Sequence, residues 1–207
     1  MEEYSKIETL FDRDEKFKVM IGKWRLPEFE YLKDNTWVFT EKVDGTNIRV
    51  MFDGSLITFG GKTDNAQIPA QLVARLQDLF LPKSGVFSER FTDGVCLYGE
   101  GYGAKIQKGG GNYTPGQDFV LFDVKIGEWW LQRADIEEVA AALNIDVVPI
   151  IGTGTLDQMV EMARAGFCSE WGQFIAEGIV ARPLVELKAR NGKRIITKIK
   201  HKDFGDL

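Results

Sequence analysis

The chain has one histidine, two cysteines and no long apolar run. Each shortage excludes something. The lone His201 cannot anchor a histidine-based metal site, and it leaves no obvious catalytic imidazole. Cys96 and Cys168 lie far apart in sequence with no partner cluster. They read as buried thiols in a reducing compartment, not as a disulfide framework or zinc site. No apolar run approaches the roughly 20 residues that span a bilayer. The N-terminus, Met1-Glu2-Glu3-Tyr4, is acidic and has no apolar signal region, so a cytoplasmic protein is expected. No Gly-Lys-Ser/Thr string opens a helix, which excludes a Walker-type phosphate loop. A basic excess is also missing. Lys and Arg number 26 against 31 Asp and Glu, a net charge of −5, so bulk charge gives no argument for nucleic-acid binding.

What is present is an ordinary globular composition in 207 residues, enough for one domain with a real core. No internal repeat or linker interrupts it. Gly109-Gly110-Gly111, with Lys105, Lys108 and Asn112 around it, reads as a mobile surface loop. Strand signals dominate: 37–40, 47–52, an Asp53-Gly54 turn, 56–59, 95–98, 119–124, 129–131, 178–181 and 194–199. Helical spacing marks 70–80, 134–143 and 156–165. Strands in runs with interspersed helices predict an α+β fold of mainly antiparallel sheets. The segment Lys188 to Lys202 carries seven lysines and arginines and no acid, which reads as a solvated, basic edge strand or as a functional cationic strand.

The most informative stretch is Glu41-Lys42-Val43-Asp44-Gly45-Thr46-Asn47-Ile48-Arg49. It sets a lysine beside a tight Asp-Gly turn between two predicted strands. An ordinary lysine is almost wholly protonated at neutral pH, so a nucleophilic one needs desolvation or neighbouring cations. Trp37-Val38-Phe39 would bury the stem of Lys42. Lys198 and Lys200, two apart on a strand, share one face and can converge on a phosphate. Glu100, framed by glycines in Tyr98-Gly99-Glu100-Gly101, and Glu177, in Glu177-Gly178-Ile179-Val180, offer carboxylates for a divalent cation. Phe119 to Asp123 alternates aromatics and ends in an acid, and Phe122 offers a ring for a base.

This ordered set resembles the covalent nucleotidyltransferase superfamily of ATP-dependent ligases and capping enzymes. Its five motifs resemble Lys42 to Asn47, Tyr98 to Glu100, Phe119 to Asp123, Glu177 to Val180 and Lys198 to Lys200, and the match runs from about Trp37 to Phe204. Within the superfamily, Asn47 resembles the RNA ligase pattern, where DNA ligases and capping enzymes usually carry arginine. Lys62, in Gly60 to Asn65, takes a place where arginine is common. It keeps the charge and loses the bidentate fork. The ending Lys198 to Phe204 resembles phage-like RNA ligases. Only residues 201–207 follow Lys200, so a single adenylyltransferase domain over 1–207 is expected, without an OB-fold or helical C-terminal domain.

The resemblance implies a nucleotidyltransferase (ATP-grasp-like) core that uses ATP and Mg²⁺ or Mn²⁺. It implies joining of RNA 3′-hydroxyl and 5′-phosphate ends through lysyl-AMP and an adenylylated 5′ end. Lys42 is the implied nucleophile. Glu41 and its backbone would read adenine, with Phe122 stacked on it. Asn47 and Glu100 would contact ribose or metal-bound water, and Glu177 the metal, with Asp44 in the metal shell or shaping the turn. Lys198 and Lys200 would hold the α-phosphate, and Arg49 and Lys62 would be further phosphate or end contacts. Either the core suffices, or an accessory protein or oligomer would supply RNA grip; no membrane is involved, and the host cytoplasm would be the location for a phage protein. The alternatives are a DNA ligase, a GTP-dependent capping enzyme, or a non-catalytic end-binding module. The first 30 residues mix Lys6, Arg13, Lys16, Lys18, Lys23 and Arg25 with acids, and read either as plain surface or as an RNA contact.

Overall fold

A computed structural model describes residues 2–205. In chain order the elements are β1 (Glu8–Thr9), β2 (Phe11–Arg13), β3 (Val19–Trp24), α1 (Pro27–Tyr31), β4 (Trp37–Lys42), β5 (Thr46–Phe52), β6 (Ile57–Gly60), α2 (Ala70–Phe80), α3 (Ser84–Arg90), β7 (Val95–Gly103), β8 (Gln117–Ile126), β9 (Trp129–Trp130), α4 (Arg133–Leu143), β10 (Ile150–Gly154), α5 (Leu156–Ala165), β11 (Gly178–Pro183) and β12 (Thr197–Lys200). The expected α+β class with mainly antiparallel sheets is what forms. The chain divides into two compact units. One comprises residues 2–5 and Asp44–Val148, the other Lys6–Val43 and residues 149–205.

In the first unit an antiparallel sheet runs β6-β5-β7-β8-β9. Alternation along the strands sends Ile48, Val50, Phe52, Leu97, Phe119 and Leu121 to one face. That face is covered by Leu72, Leu76 and Phe80 of α2, Phe87 of α3, and Ile136, Ala140 and Leu143 of α4. Burying each large apolar side chain stabilises by about 2 kcal/mol. Gly99 is required in the middle of β7, because a Cβ there would meet the Phe119 ring at 2.3 Å. The opposite face of the sheet receives the N-terminal residues. Tyr4 donates to Asp123 at 2.8 Å, Tyr98 donates to the Glu2 carbonyl at 2.8 Å, and Lys125 pairs with Glu2.

In the second unit the sheet order is β1-β12-β11-β4-β10, antiparallel except for β1 beside β12. Its core gathers Phe29, Trp37, Phe39, Leu156, Met159, Ile179 and Ile199. A capping box starts α5: Thr155 Oγ1 accepts from the Gln158 N–H, and Gln158 Oε1 accepts from the Thr155 N–H. A two-stranded β2–β3 sheet completes the unit.

Three expectations are corrected. β12 lies between β1 and β11, so the basic segment is not an edge strand. Cys168 is exposed, and only Cys96 is buried. Gly110, in the triglycine, is buried, and a Cβ there would meet the Gly103 carbonyl oxygen at 1.9 Å, so this loop, whose Lys105, Lys108, Gly111 and Asn112 are exposed as expected, is pinned at Gly110. Among the described residues no helix is long and apolar enough to cross a membrane.

Candidate active site

The second unit brings Lys42, Glu177, Lys198 and Lys200 together on one sheet. β4 and β12 flank β11, and Gly178 is directly opposite both Lys42 and Lys200. Residues opposed across strands project to the same face, so the two lysines stand in one row with no side chain between them. The Glu177 carboxylate bridges that gap. Its Oε2 lies 2.6 Å from Lys42 Nζ and its Oε1 2.5 Å from Lys200 Nζ. The three side chains are 17%, 10% and 24% exposed, so the cluster is shielded while remaining reachable. In the next row Val180 is opposite Thr40 and Lys198, placing Lys198 on the same face as Lys200. Glycine at 178 is a steric necessity, because a Cβ would meet the Ile199 carbonyl oxygen at 2.2 Å.

The turn after β12 is locked. Asp203 accepts from the Lys200 N–H at 2.9 Å and from Arg13 at 2.7 Å. His201 gives its N–H to the Glu177 carbonyl at 2.9 Å, and its ring Nδ1 lies 2.9 Å from the Ala163 carbonyl. The main chain at residue 201 therefore holds the Glu177 backbone, while the imidazole is tied to α5.

The Glu177 carboxylate thus stands between the Lys42 and Lys200 ammoniums. For Glu41 the expectation is corrected. It follows the alternation onto the opposite face, is 1% exposed, and accepts from Ser169 Oγ at 2.5 Å and the Glu170 N–H at 2.9 Å. Burial pushes its carboxyl above the usual range, and those two hydrogen bonds oppose the rise. The side chain is thus committed to the 169–170 segment, and only the strand backbone remains for reading a base. Ser169 and Glu170 gave no signal in sequence, since they lie more than 120 residues away.

The first unit holds the other candidates. Asn47 on β5 is directly opposite Glu100 on β7, so the two share a face. The Asn47 Oδ1 atom is buried with no hydrogen-bond partner. An orphaned buried acceptor next to a carboxylate is the kind of group that a ligand or a hydrated cation satisfies. Asp44 follows Lys42 by two residues, and its N–H donates to Tyr113 Oη at 3.1 Å, a contact invisible in sequence. Gly45 is packed so closely that a Cβ would meet the Gly101 carbonyl oxygen at 2.2 Å. This fixes the turn after the lysine. Lys62 is exposed in the loop after β6.

Two more expectations change. Arg49 is fully buried. Its Nε donates to the Gly61 carbonyl at 2.9 Å and its NH2 to Asp64 at 2.7 Å, so it clamps the loop after β6 instead of facing a phosphate. We expect Arg49→Lys, which loses the planar fork, to cost about 2–4 kcal/mol in urea unfolding. A variant as stable as the wild type would refute the clamp. Phe122 is half-buried and makes an edge contact with Tyr4, ring centroids 5.0 Å apart, so it is not a freely presented stacking surface. Among the described residues no three acids, histidines or cysteines form a ready metal cage. The donor set instead suits Mg²⁺ or Mn²⁺ held by one or two carboxylates and completed by substrate phosphates.

Residues 35–200 match the family described as RNA ligase. Solved structures of the Naegleria gruberi RNA ligase share the fold. A mutant with ATP and Mn aligns with TM-score 0.71 and 21% identity over 98% of this chain and 59% of that one. A second mutant with ATP and Mn gives 0.66 and 24% over 86% and 54%, and the enzyme with PPi gives 0.67 and 21% over 97% and 62%. The chain thus spans little more than half the length of that ligase. No curated protein matches the sequence.

Proposed function

This chain belongs to the RNA ligase family, and from that premise we propose that it is an ATP-dependent RNA ligase that charges itself with AMP on Lys42. The observation that carries the reading is the Lys42–Gly178–Lys200 row bridged by Glu177. Lys42 Nζ gives up a proton and attacks the α-phosphorus of ATP. A nitrogen–phosphorus bond forms and the bond to pyrophosphate breaks. Glu177 Oε2, 2.6 Å from Nζ, is placed to take that proton. Lys198 and Lys200 hold the α-phosphate oxygens and offset charge as it builds there. The AMP then passes to an RNA 5′-phosphate, a 3′-hydroxyl attacks that phosphorus, and AMP leaves.

Mg²⁺ or Mn²⁺, when bound, would neutralise phosphate charge. Glu177 is the carboxylate the second unit would offer it; the first unit would offer Glu100 and Asp44, with Asn47 Oδ1 as the acceptor that ribose or metal-bound water satisfies. The backbone beside Glu41 would read adenine. The ATP- and Mn-bound ligases of the same fold support this choice of nucleotide and metal class.

The test incubates the protein with Mg²⁺ or Mn²⁺ and α-labelled ATP or GTP, then denatures it. We expect acid-labile label on the chain from ATP. No label from either nucleotide on folded protein would leave a non-catalytic end-binding module. Label from GTP alone would indicate a capping-type enzyme. In a sealing assay, nicked DNA joined as well as nicked RNA would overturn the RNA assignment.

A further inference from the structure

We propose that the β2–β3 hairpin tip, Lys16-Phe17-Lys18, is a base-stacking contact for single-stranded RNA ends, an inference that rests on the ligase reading and gives its substrate a second point of attachment. Phe17 is 78% exposed and has φ 62°, in the left-handed region that a bulky side chain adopts only under strain. The strain is held deliberately. Asp14 Oδ1 accepts from the N–H groups of Lys16 at 2.9 Å and Lys18 at 2.8 Å. The Phe17 N–H donates to the Asp14 carbonyl at 2.9 Å, and Arg13 NH1 donates to the Phe17 carbonyl at 2.8 Å. Glycine or asparagine would make this turn with less strain. A phenylalanine whose ring buries almost nothing gives the fold no return for the strain it adds.

The surroundings indicate what the ring meets. Lys16 and Lys18 flank it, both exposed, while the Asp14 carboxylate is occupied by two backbone donors and Glu15 offsets one cation. One ring between two ammoniums matches a base and its neighbouring phosphates, since every base offers a π-face. The charged residues on both sides of the ring, Glu15, Lys16 and Lys18, favour this over an apolar protein or membrane partner.

Position supports the same occupant. β1 runs parallel to β12 with Thr9 opposite Lys198, and Leu10 donates its N–H to the Lys198 carbonyl at 3.0 Å. The hairpin therefore emerges at the Lys200 end of β12. Arg13, which holds the Phe17 carbonyl, also grips Asp203, and Asp203 binds the Lys200 N–H. The tip is thus tied through two side chains to the strand that carries the phosphate-holding lysines. Both lie within one unit.

The test uses the full chain and a 5′-phosphorylated single-stranded RNA carrying 2-aminopurine near its end. We expect binding to quench the 2-aminopurine. Phe17→Ala should abolish the quench and weaken binding by about 10-fold. Phe17→Trp should retain both. Thermal stability of Phe17→Ala should not fall, and labelling by ATP without RNA should be unchanged. Equal binding by Phe17→Ala and wild type overturns the proposal, as does equal loss in the Ala and Trp variants. Phe17-dependent self-association or vesicle binding without an RNA effect overturns it in favour of another partner. If the wild type takes no label from ATP while RNA quenching still depends on Phe17, the ligase reading fails and this contact stands.

Discussion

Lys42→Ala will take no label from ATP, and Lys42→Arg will not restore it. The guanidinium stays protonated at any usable pH, so it can pair with Glu177 but cannot attack phosphorus. Lys198 and Lys200 cannot substitute as nucleophiles, because they lie on β12, with β11 between them and β4. Labelling should fall to background, at least about 1,000-fold, an effect of the size seen when a covalent nucleophile is removed. Stability should fall by less than for an ordinary buried pair. A broken buried ion pair usually costs about 3–5 kcal/mol because it strands a charge. Here Glu177 keeps Lys200 at 2.5 Å, so the charge is not stranded and the expected cost is about 1–2 kcal/mol. Radiolabelling and urea unfolding of the same preparations separate the two effects. Substantial label in Lys42→Ala would move the nucleophile elsewhere and remove the basis of the proposed mechanism.

Part of this was legible in sequence for simple reasons. α2 and α5 form with the bounds that helical spacing predicts, since each buries one apolar stripe. β4, β5 and β11 follow from β-branched and aromatic runs beside turn residues. β10 leaves little trace in the sequence because Gly152 and Gly154 dilute its signal; its pairing to β4 creates the strand. β1 leaves no trace because its partner is β12, nearly 190 residues away, whereas β2 and β3 pair only with each other, through a ladder interrupted by a register shift. The candidate site divides the same way. Residue types near Lys42 were readable because the chemistry demands cations and carboxylates. Their pairing was not, since 135 residues separate Lys42 from Glu177. The surroundings of Arg49 and Glu41 were equally hidden, because a charged residue beside a motif reads as functional until its partner is seen. Asp64, itself exposed, and the buried Ser169 are those partners.

Glu177→Ala should be the most damaging change after loss of the nucleophile, and for two separable reasons. It strands two shielded ammoniums at once, Lys42 and Lys200, facing each other across Gly178. Both retain some water contact, so the expected loss is about 2–4 kcal/mol, at or below the usual range for a broken buried pair. It also removes the proton acceptor and the proposed metal carboxylate, which should cut labelling by about 100- to 1,000-fold. Glu177→Gln separates the two. Its amide oxygen can accept from one lysine while its NH₂ meets the other, so stability should recover in part while labelling stays low. Adding Lys200→Ala to Glu177→Ala removes one stranded charge. The double variant should therefore be more stable than the sum of the single losses predicts, with a coupling of about 1–2 kcal/mol. Additive losses would mean that Glu177 and Lys200 act independently. Wild-type labelling in Glu177→Ala would show that the bridge is structural and has no part in forming the bond to Lys42.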